Sequence, residues 1–214
     1  MTSYDIKELR RINYIDILRD EAFGYVSGQA WTFENASVMT KSLQKIKKYA
    51  DEWDSVSREG IRLILVGDVG TGKSYAAGCI ANELLDHMKS VRFVRIVDVV
   101  NDLQGCYGEE REKYYKNIMS PELLIIDDLG AERNTAFAQE CVFDVIEHRI
   151  STGRPMIITT NTSVQTMRNA TNVSERRIYD RILACCVPIL FEGVNFRKDI
   201  AAKKMKKAKE MFRL

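Results

Sequence analysis

The sequence has few of the features that mark disulfide-linked, metal-binding and membrane-spanning proteins. Its five cysteines show no C-x-x-C spacing, and its two histidines, His87 and His148, stand in helical contexts without neighbouring ligand residues. This pattern favours reduced thiols in a cytoplasmic protein over a disulfide scaffold or a zinc site. No apolar run approaches the roughly 18–20 residues that a helix needs to cross a bilayer. We therefore expect a cytoplasmic protein without a membrane segment.

An excess of charge of one sign is also missing. The 32 Lys and Arg residues nearly balance the 30 Asp and Glu residues, which leaves a net charge of +2. Any contact with nucleic acid must therefore come from a local basic patch and not from the molecule as a whole. With 214 residues, 45% of them hydrophobic, the chain is long enough to bury the core of one α/β domain.

Short apolar runs alternate with helical segments along most of the chain. The runs predict five strands, at 61–66, 91–97, 122–127, 155–160 and 187–191. Because these runs are mainly apolar, we expect a parallel sheet that helices cover on both faces. The sequence thus predicts an α/β fold with five parallel strands.

The first 30 residues differ from the rest of the chain. Residues 4–22 carry apolar residues at helical spacing, and residues 23–30 contain two glycines among small and polar residues. From Trp31 onward the composition becomes that of a globular domain. We therefore divide the chain into a helical extension with its linker, residues 1–30, and a globular domain, residues 31–214.

A glycine-rich turn follows the first predicted strand. The segment "GDVGTGKS" matches the pattern Gly67-x-x-x-x-Gly72-Lys73-Ser74 completely. Glycines let backbone N–H groups turn inward around a phosphate, and the following helix adds its positive N-terminus. In this pattern the lysine reaches the β- and γ-phosphates, while the serine hydroxyl ligates Mg²⁺. The predicted nucleotide-binding residues are Gly67, Gly70, Thr71, Gly72, Lys73, Ser74 and Tyr75.

Polar side chains end the third and fourth predicted strands. At the carboxyl edge of parallel strands they would lie in the crevice where ligands bind. We predict that Asp127 belongs to the Mg²⁺ site with Ser74, and that Asp128 orients or deprotonates the attacking water. Glu132 is a second choice for the role of Asp128. Asn161 would reach the γ-phosphate or the water, although an ordinary strand-ending Asn is the alternative.

Several blocks of the sequence together resemble one family of ATPases. In chain order they are "WTFENA" (31–36), "GDVGTGKS" (67–74), "LLIIDDLGAER" (123–133), "TTN" (159–161), "RIYDRIL" (177–183) and "FEGVNFRKDIA" (191–201). They look like parts of the DnaC/DnaI-type replicative helicase loaders, which are AAA+ ATPases related to the initiator DnaA and to the IstB transposition helpers. The resemblance runs from about residue 31 to residue 212. It implies an AAA+ P-loop NTPase fold with ATP and Mg²⁺ as cofactors.

The resemblance also implies roles for three arginines. Arg181 in "RIYDRIL" matches the arginine finger, which completes the ATP site of a neighbouring subunit. Arg177, four residues earlier, would share its helix face and assist. Arg197 in "NFRKD" matches the sensor-2 arginine, which acts in its own subunit. A solvated or structural charge is the alternative for each, and a finger acting in trans implies weak ATPase activity alone.

The function that the resemblance implies is ATP-dependent loading of a hexameric replicative helicase onto single-stranded DNA, with self-assembly into a spiral or ring. A transposition helper of the IstB kind and an ATP-gated binding module with little turnover stay open as alternatives. A typical family member carries a separate N-terminal domain that grips the helicase, whereas about 30 residues precede the core here. Either the helix at 4–20 grips the helicase alone, or it packs on its own core, or the chain is a truncated or short viral-type variant.

Two segments are candidates for contact with DNA. Residues 197–214 contain eight basic and two acidic residues, which could neutralise phosphates. The alternative is a terminal helix with solvated lysines whose apolar residues Ile200, Met205, Ala208 and Phe212 turn inward. Residues 98–120 occupy the family position of the initiator-specific insertion. Side chains that could stack on or clamp bases there are Tyr107, Lys113, Tyr114, Tyr115 and Lys116, although a surface helical hairpin is equally consistent.

Overall fold

Five apolar segments of the chain form one parallel sheet. The computed structural model describes residues 3–24 and 26–212. The strands are β1 (Arg62–Gly67), β2 (Val91–Arg95), β3 (Leu123–Leu129), β4 (Met156–Thr160) and β5 (Cys186–Phe191). Their order in the sheet is β2-β3-β4-β1-β5, and every pairing is parallel. The predicted α/β fold with five parallel strands is confirmed.

Helices cover both faces of this sheet. They are α1 (Ser3–Phe23), α2 (Lys41–Asp51), α3 (Trp53–Glu59), α4 (Lys73–Asp86), α5 (Ile96–Gly105), α6 (Glu109–Met119), α7 (Ala136–Ser151), α8 (Val164–Arg168), α9 (Val173–Cys185) and α10 (Phe196–Phe212). Side chains of a strand alternate between the two faces, so Leu63 and Leu65 of β1 pack toward α4, while Ile64 and Val66 pack toward α7 and α9. Burial of one such side chain stabilises the fold by about 1.5–3 kcal/mol.

Helix α1 packs on the body of the domain. Its Phe23 is buried and stacks on Phe93 of β2, with ring centroids 5.4 Å apart. Arg19 forms an ion pair with Asp86 at the end of α4. On the outward side of the helix, Tyr14 is 50% exposed. The inner face of α1 therefore packs on the core of its own chain, as one of the alternatives for this helix had it. The division of the chain at residue 30 stays a prediction.

Helix α10 carries uncovered apolar side chains in its C-terminal half. Met205 is 61% exposed and Phe212 is 69% exposed. The expectation that these two side chains turn inward is therefore wrong, whereas the side chain of Ile200 lies outside the described residues. In the described part of the chain, the helices are too short or too polar for any of them to span a membrane.

Candidate nucleotide-binding site

The P-loop connects the end of β1 to the start of α4, and two of its residues must be glycine. Gly70 has φ 85° and Gly72 has φ 94°, in the left-handed region that disfavours other residues. A Cβ atom on Gly70 would also lie 2.3 Å from Oδ1 of Asn195, so a side chain there would displace Asn195. Thr71 closes the turn because its hydroxyl donates to the carbonyl of Asp68 at 2.8 Å. The loop is thereby held close to the N-terminus of α4, where a phosphate would bind.

Lys73 is buried inside the curve of the P-loop, with 7% of its surface exposed. Its Nζ donates to the carbonyl oxygens of Gly67 at 2.7 Å and Asp68 at 2.8 Å, and to Oδ1 of Asn161 at 2.8 Å. Burial lowers the pKa of Lys73, and the negative charge of Asp128 is the strongest influence that opposes this. Phosphate oxygens would replace these neutral oxygens with charged acceptors, which bind an ammonium group more strongly.

A β-bulge separates the two aspartates at the end of β3. The register of β3 against β4 shifts between Ile126 and Leu129, and Asp128 has φ 59°. The extra residue of a bulge redirects the side chains next to it. Asp127 therefore points into the protein and is 8% exposed, while Asp128 is exposed at the mouth of the site. Adjacent carboxylates in the sequence thus occupy different environments.

Asp127 lies beside Ser74, as expected for residues that share one metal ion. Burial is the main influence on the pKa of Asp127 and raises it, while hydrogen bonding to Thr159 and to Ser74 opposes that rise. A serine hydroxyl and a carboxylate supply the oxygen ligands that Mg²⁺ prefers. The two side chains therefore fit the predicted Mg²⁺ site.

Thr159 on β4 is a site residue that the sequence reasoning missed. Its side chain is 1% exposed, and its hydroxyl donates to Oδ1 of Asp127 at 2.7 Å. The Thr159 hydroxyl oxygen also accepts the backbone N–H of Asp128 at 2.9 Å. One hydroxyl therefore orients the buried carboxylate and fixes the bulged backbone. The available signal was a polar residue within an apolar strand, in the block "TTN".

Asn161 connects the P-loop to the exposed aspartate. Its Oδ1 accepts from Lys73, and its Nδ2 donates to Oδ1 of Asp128 at 3.1 Å. The side chain can do this because β4 lies between β3 and β1 in the sheet. Glu132 is nearby but occupied, since its Oε2 accepts the N–H of Gly130 at 2.8 Å. The structure thus joins Lys73 at the start of α4, Asn161 after β4 and Asp128 near the end of β3 in one hydrogen-bonded chain.

The N-terminus of α10 docks on the P-loop, which the sequence reasoning did not foresee. Nδ2 of Asn195 donates to the carbonyl of Val69 at 2.9 Å, and the N–H of Phe196 donates to the carbonyl of Gly70 at 2.9 Å. Oδ1 of Asn195 accepts the N–H of Lys198 at 3.1 Å, which caps the helix. This docking brings Arg197 to the side of the P-loop, where its charge adds to the lowering of the Lys73 pKa.

Arg181 and Arg177 stand apart from this network, on the surface where α9 packs against α7. Nη2 of Arg181 donates to Oε1 of Glu147 at 2.9 Å, and its Nε lies 2.8 Å from Oε2. The guanidinium of Arg177 lies over the ring of Phe143, 4.6 Å from its centroid. The structure therefore does not bring the predicted arginine finger to the ATP site of its own chain.

Two of the three tyrosines suggested for DNA contact make contacts within the chain. Tyr114 donates to Oδ2 of Asp102 at 3.1 Å, and the ring of Tyr115 stacks on His148 with centroids 5.0 Å apart. Tyr107 is 78% exposed. Helices α5 and α6 are joined by a short turn, and both interpretations of this segment, contact with DNA and a surface helical hairpin, stay predictions.

The sheet order and the site together define a class of protein. A P-loop after β1, carboxylates after β3 and a polar residue after the intervening β4 are the features of a P-loop NTPase of the AAA+ class. The model of the IstB-like ATP binding protein family matches residues 35–204, and the chain belongs to that family. It is accordingly an ATP-binding protein.

Individual relatives agree with this assignment. The chain is 26% identical over 183 residues to the replicative helicase loader DnaC of Escherichia coli (strain K12). The aligned region covers 82% of this chain and 72% of DnaC. It is 26% identical over 181 residues to the replicative helicase loader DnaI of Bacillus subtilis (strain 168), covering 78% of this chain and 58% of DnaI. A crystal structure of DnaI matches the fold with a TM-score of 0.65 at 22% identity, over 79% of this chain and 92% of that one. The resemblance to the DnaC/DnaI-type loaders is confirmed.

Proposed function

We propose that this protein hydrolyses ATP·Mg²⁺ in order to load a hexameric replicative helicase onto single-stranded DNA. The observation that carries the proposal is the hydrogen-bonded chain from Lys73 through Asn161 to Asp128. It joins the phosphate-binding loop to a carboxylate that can act on water. Relatives named as replicative helicase loaders favour loading over a role in transposition or simple ATP-gated binding.

Binding of the triphosphate follows from the P-loop. Lys73 exchanges its contacts with the loop carbonyls for the β- and γ-phosphate oxygens, and the helix N-terminus adds backbone N–H donors. Ser74 and Asp127 hold Mg²⁺, which offsets the negative charge of the phosphates when it is bound. Thr159 keeps Asp127 oriented toward that position.

The chemical step needs a base and an orienting group beside the γ-phosphate. Asp128 is exposed at the mouth of the site and accepts the proton of the attacking water. Asn161 holds Asp128 and, by its link to Lys73, keeps it in line with the γ-phosphate. The water oxygen bonds to the γ-phosphorus as the bond to the β-γ bridging oxygen breaks, and ADP and phosphate leave.

A single chain supplies only part of the positive charge at the γ-phosphate. Arg197 approaches from α10 of the same chain, whereas Arg181 faces away with Glu147. We therefore assign Arg181 to the site of a neighbouring subunit in a spiral or ring, with help from Arg177. An arginine finger supplied in trans raises turnover by about 10³–10⁵-fold in known cases. Weak activity of the free chain, rising on assembly, follows from this arrangement.

The loading proposal is tested with Asp128→Asn, which keeps the shape of the side chain but removes the base. We expect this variant to bind ATP and the helicase, to lose most ATP hydrolysis, and to remain trapped on the helicase in a pull-down with single-stranded DNA. Glu132→Gln is the matched control and should release the helicase normally. A wild-type protein that binds no replicative helicase would refute the proposal, and an Asp128→Asn variant that loads normally would refute the role of hydrolysis.

A further inference from the structure

We propose that Glu147 is a positioning residue that holds Arg181 ready for the ATP site of a neighbouring subunit. The inference deepens the proposed function and rests on it, because it requires that Arg181 act in trans. It assigns a role to a carboxylate on α7 that no sequence motif marks. The arrangement of the ion pair, the packing beneath it and the edge of the guanidinium left free carry the argument.

The contact between the two side chains uses one edge of the guanidinium. Glu147 faces the edge formed by Nε and Nη2, at 2.8 Å and 2.9 Å. An arginine carries N–H donors on all three nitrogens, so Nη1 and the second proton of Nη2 point away from Glu147. These outward donors form the other fork of the group, which matches two oxygens of a phosphoryl group. The Arg181 side chain is 53% exposed, so a second subunit can reach it.

The ion pair stands on a rigid base. Helices α7 and α9 pack through buried apolar residues, of which Ile146 is 1% exposed and Ile182 is 0% exposed. Glu147 directly follows Ile146, and Arg181 directly precedes Ile182, so the core fixes the backbone at both residues. The ion pair with Glu147 then helps to set the direction of the Arg181 side chain above this fixed backbone.

A second contact repeats the same arrangement one turn away. Phe143 precedes Glu147 by four residues on α7, and Arg177 precedes Arg181 by four residues on α9. Side chains four apart share one face of a helix. The Phe143 ring lies under the Arg177 guanidinium, as Glu147 lies beside that of Arg181. Helix α7 thus supports both arginines that the family resemblance assigns to the subunit interface.

Support of this kind matters because arginine is a long and flexible side chain. A free arginine would lose its rotamer freedom at the moment it reached the phosphate, and that loss would weaken transition-state binding. The contact with Glu147 removes this rotamer freedom when the subunit folds, before Arg181 meets the phosphate. If Glu147 instead restrained Arg181 by competing with the phosphate, it would occupy the edge formed by Nη1 and Nη2. It occupies the edge formed by Nε and Nη2.

The test measures ATPase activity against subunit concentration, in the presence of helicase and single-stranded DNA, for the full chain. Glu147→Gln keeps the shape of the side chain and removes its charge. We expect kcat of the assembled protein to fall by about 3–10-fold with KM for ATP unchanged, as for loss of an ordered side chain. Glu147→Asp should recover part of the loss. Glu140→Gln, an exposed charge two turns earlier on α7, is the matched control and should behave as wild type.

A double variant separates positioning from a general structural role. If Glu147 acts through Arg181, then Glu147→Gln lowers the activity of an Arg181→Ala protein no further. An equal additional loss in that background, or a rise in activity of Glu147→Gln alone, would overturn the inference. Full assembled activity of Arg181→Ala would refute the shared site itself and the inference with it. Loss with Arg181→Ala but not with Glu147→Gln would refute the inference alone.

Discussion

Replacement of Thr159 by valine should weaken both the fold and the metal site, because one hydroxyl serves both. Valine has nearly the same shape, so the change removes two hydrogen bonds without opening a cavity. The first bond runs to the carboxylate of Asp127 at 2.7 Å, and the second comes from the backbone N–H of Asp128 at 2.9 Å. Both groups lose a hydrogen-bond partner in the protein interior, because Thr159 is only 1% exposed.

The expected cost follows from the kinds of bond that are lost. A hydrogen bond to a charged group contributes about 1.5–3 kcal/mol, and one between neutral groups contributes about 0.5–1.5 kcal/mol. Together they predict a loss of about 2–4.5 kcal/mol in the free energy of unfolding, which a domain of ordinary stability survives. Loss of the bond also raises the pKa of Asp127 further, since the Thr159 hydroxyl opposes the effect of burial.

Two measurements follow. Urea unfolding gives the change in free energy, and Mg²⁺ titration of ATP hydrolysis gives the metal concentration for half-maximal rate. Because partners that orient metal ligands typically contribute about 10–100-fold in affinity, we expect that Mg²⁺ concentration to rise by about tenfold. Thr159→Ser keeps the hydroxyl and should restore most of both properties.

The neighbouring threonine provides the matched control. The hydroxyl of Thr160, 0% exposed, donates to the carbonyl of Leu129 at 2.8 Å and accepts the N–H of Thr162 at 3.1 Å. Thr160→Val therefore also loses two bonds, both to neutral groups and neither to a site residue. It should lower stability without changing the Mg²⁺ requirement. If Thr159→Val and Thr160→Val have the same Mg²⁺ requirement, the reasoning is wrong.

Two further substitutions test the buried carboxylate and the docked helix. Asp127→Asn should abolish Mg²⁺-dependent hydrolysis yet raise Tm at neutral pH, because burial raises the pKa of Asp127 and the ionised form opposes folding. Since the folded protein binds the proton more tightly, the Tm difference from wild type should shrink as pH falls through the raised pKa of Asp127 and vanish below the pKa of the unfolded chain; a constant difference would contradict this. Asn195→Ala removes the cap of α10 and its tie to Val69, which costs about 0.5–2 kcal/mol locally. We expect weaker ATP binding in a fluorescence titration, and unchanged affinity would show that the docking is irrelevant to nucleotide.

Local sequence patterns predicted the parts of the site that one segment builds. The P-loop from Gly67 to Ser74 is continuous, so its spacing alone specifies a phosphate-binding turn. The apolar run ending at Asp127 likewise specifies a strand with a carboxylate at its tip. Asn161 was predicted for the same reason. These features depend on the periodicity of strands and on the backbone freedom of glycine, which act within a few residues.

Other parts of the site come from contacts between distant segments. Asn195 and Val69 are 126 positions apart, and Thr159 and Asp127 are 32 positions apart. No local pattern marks Glu147 as the partner of Arg181, because the pairing depends on how α9 lies on α7. The order of the strands brings Asn195 to Val69 and Thr159 to Asp127. Packing of α9 on α7 brings Arg181 to Glu147.

The sequence alone therefore determined the class of fold, the phosphate loop and the residues at the strand ends, since these follow from short-range periodicity and backbone sterics. Tertiary structure decided which carboxylate is buried and which faces solvent, through a one-residue bulge in β3. It also decided that Asn195, at the start of α10, contacts the P-loop, and that Arg181 pairs with Glu147 away from its own ATP site. Those outcomes depend on packing and hydrogen bonding across the sheet, where residues far apart in sequence share one small volume.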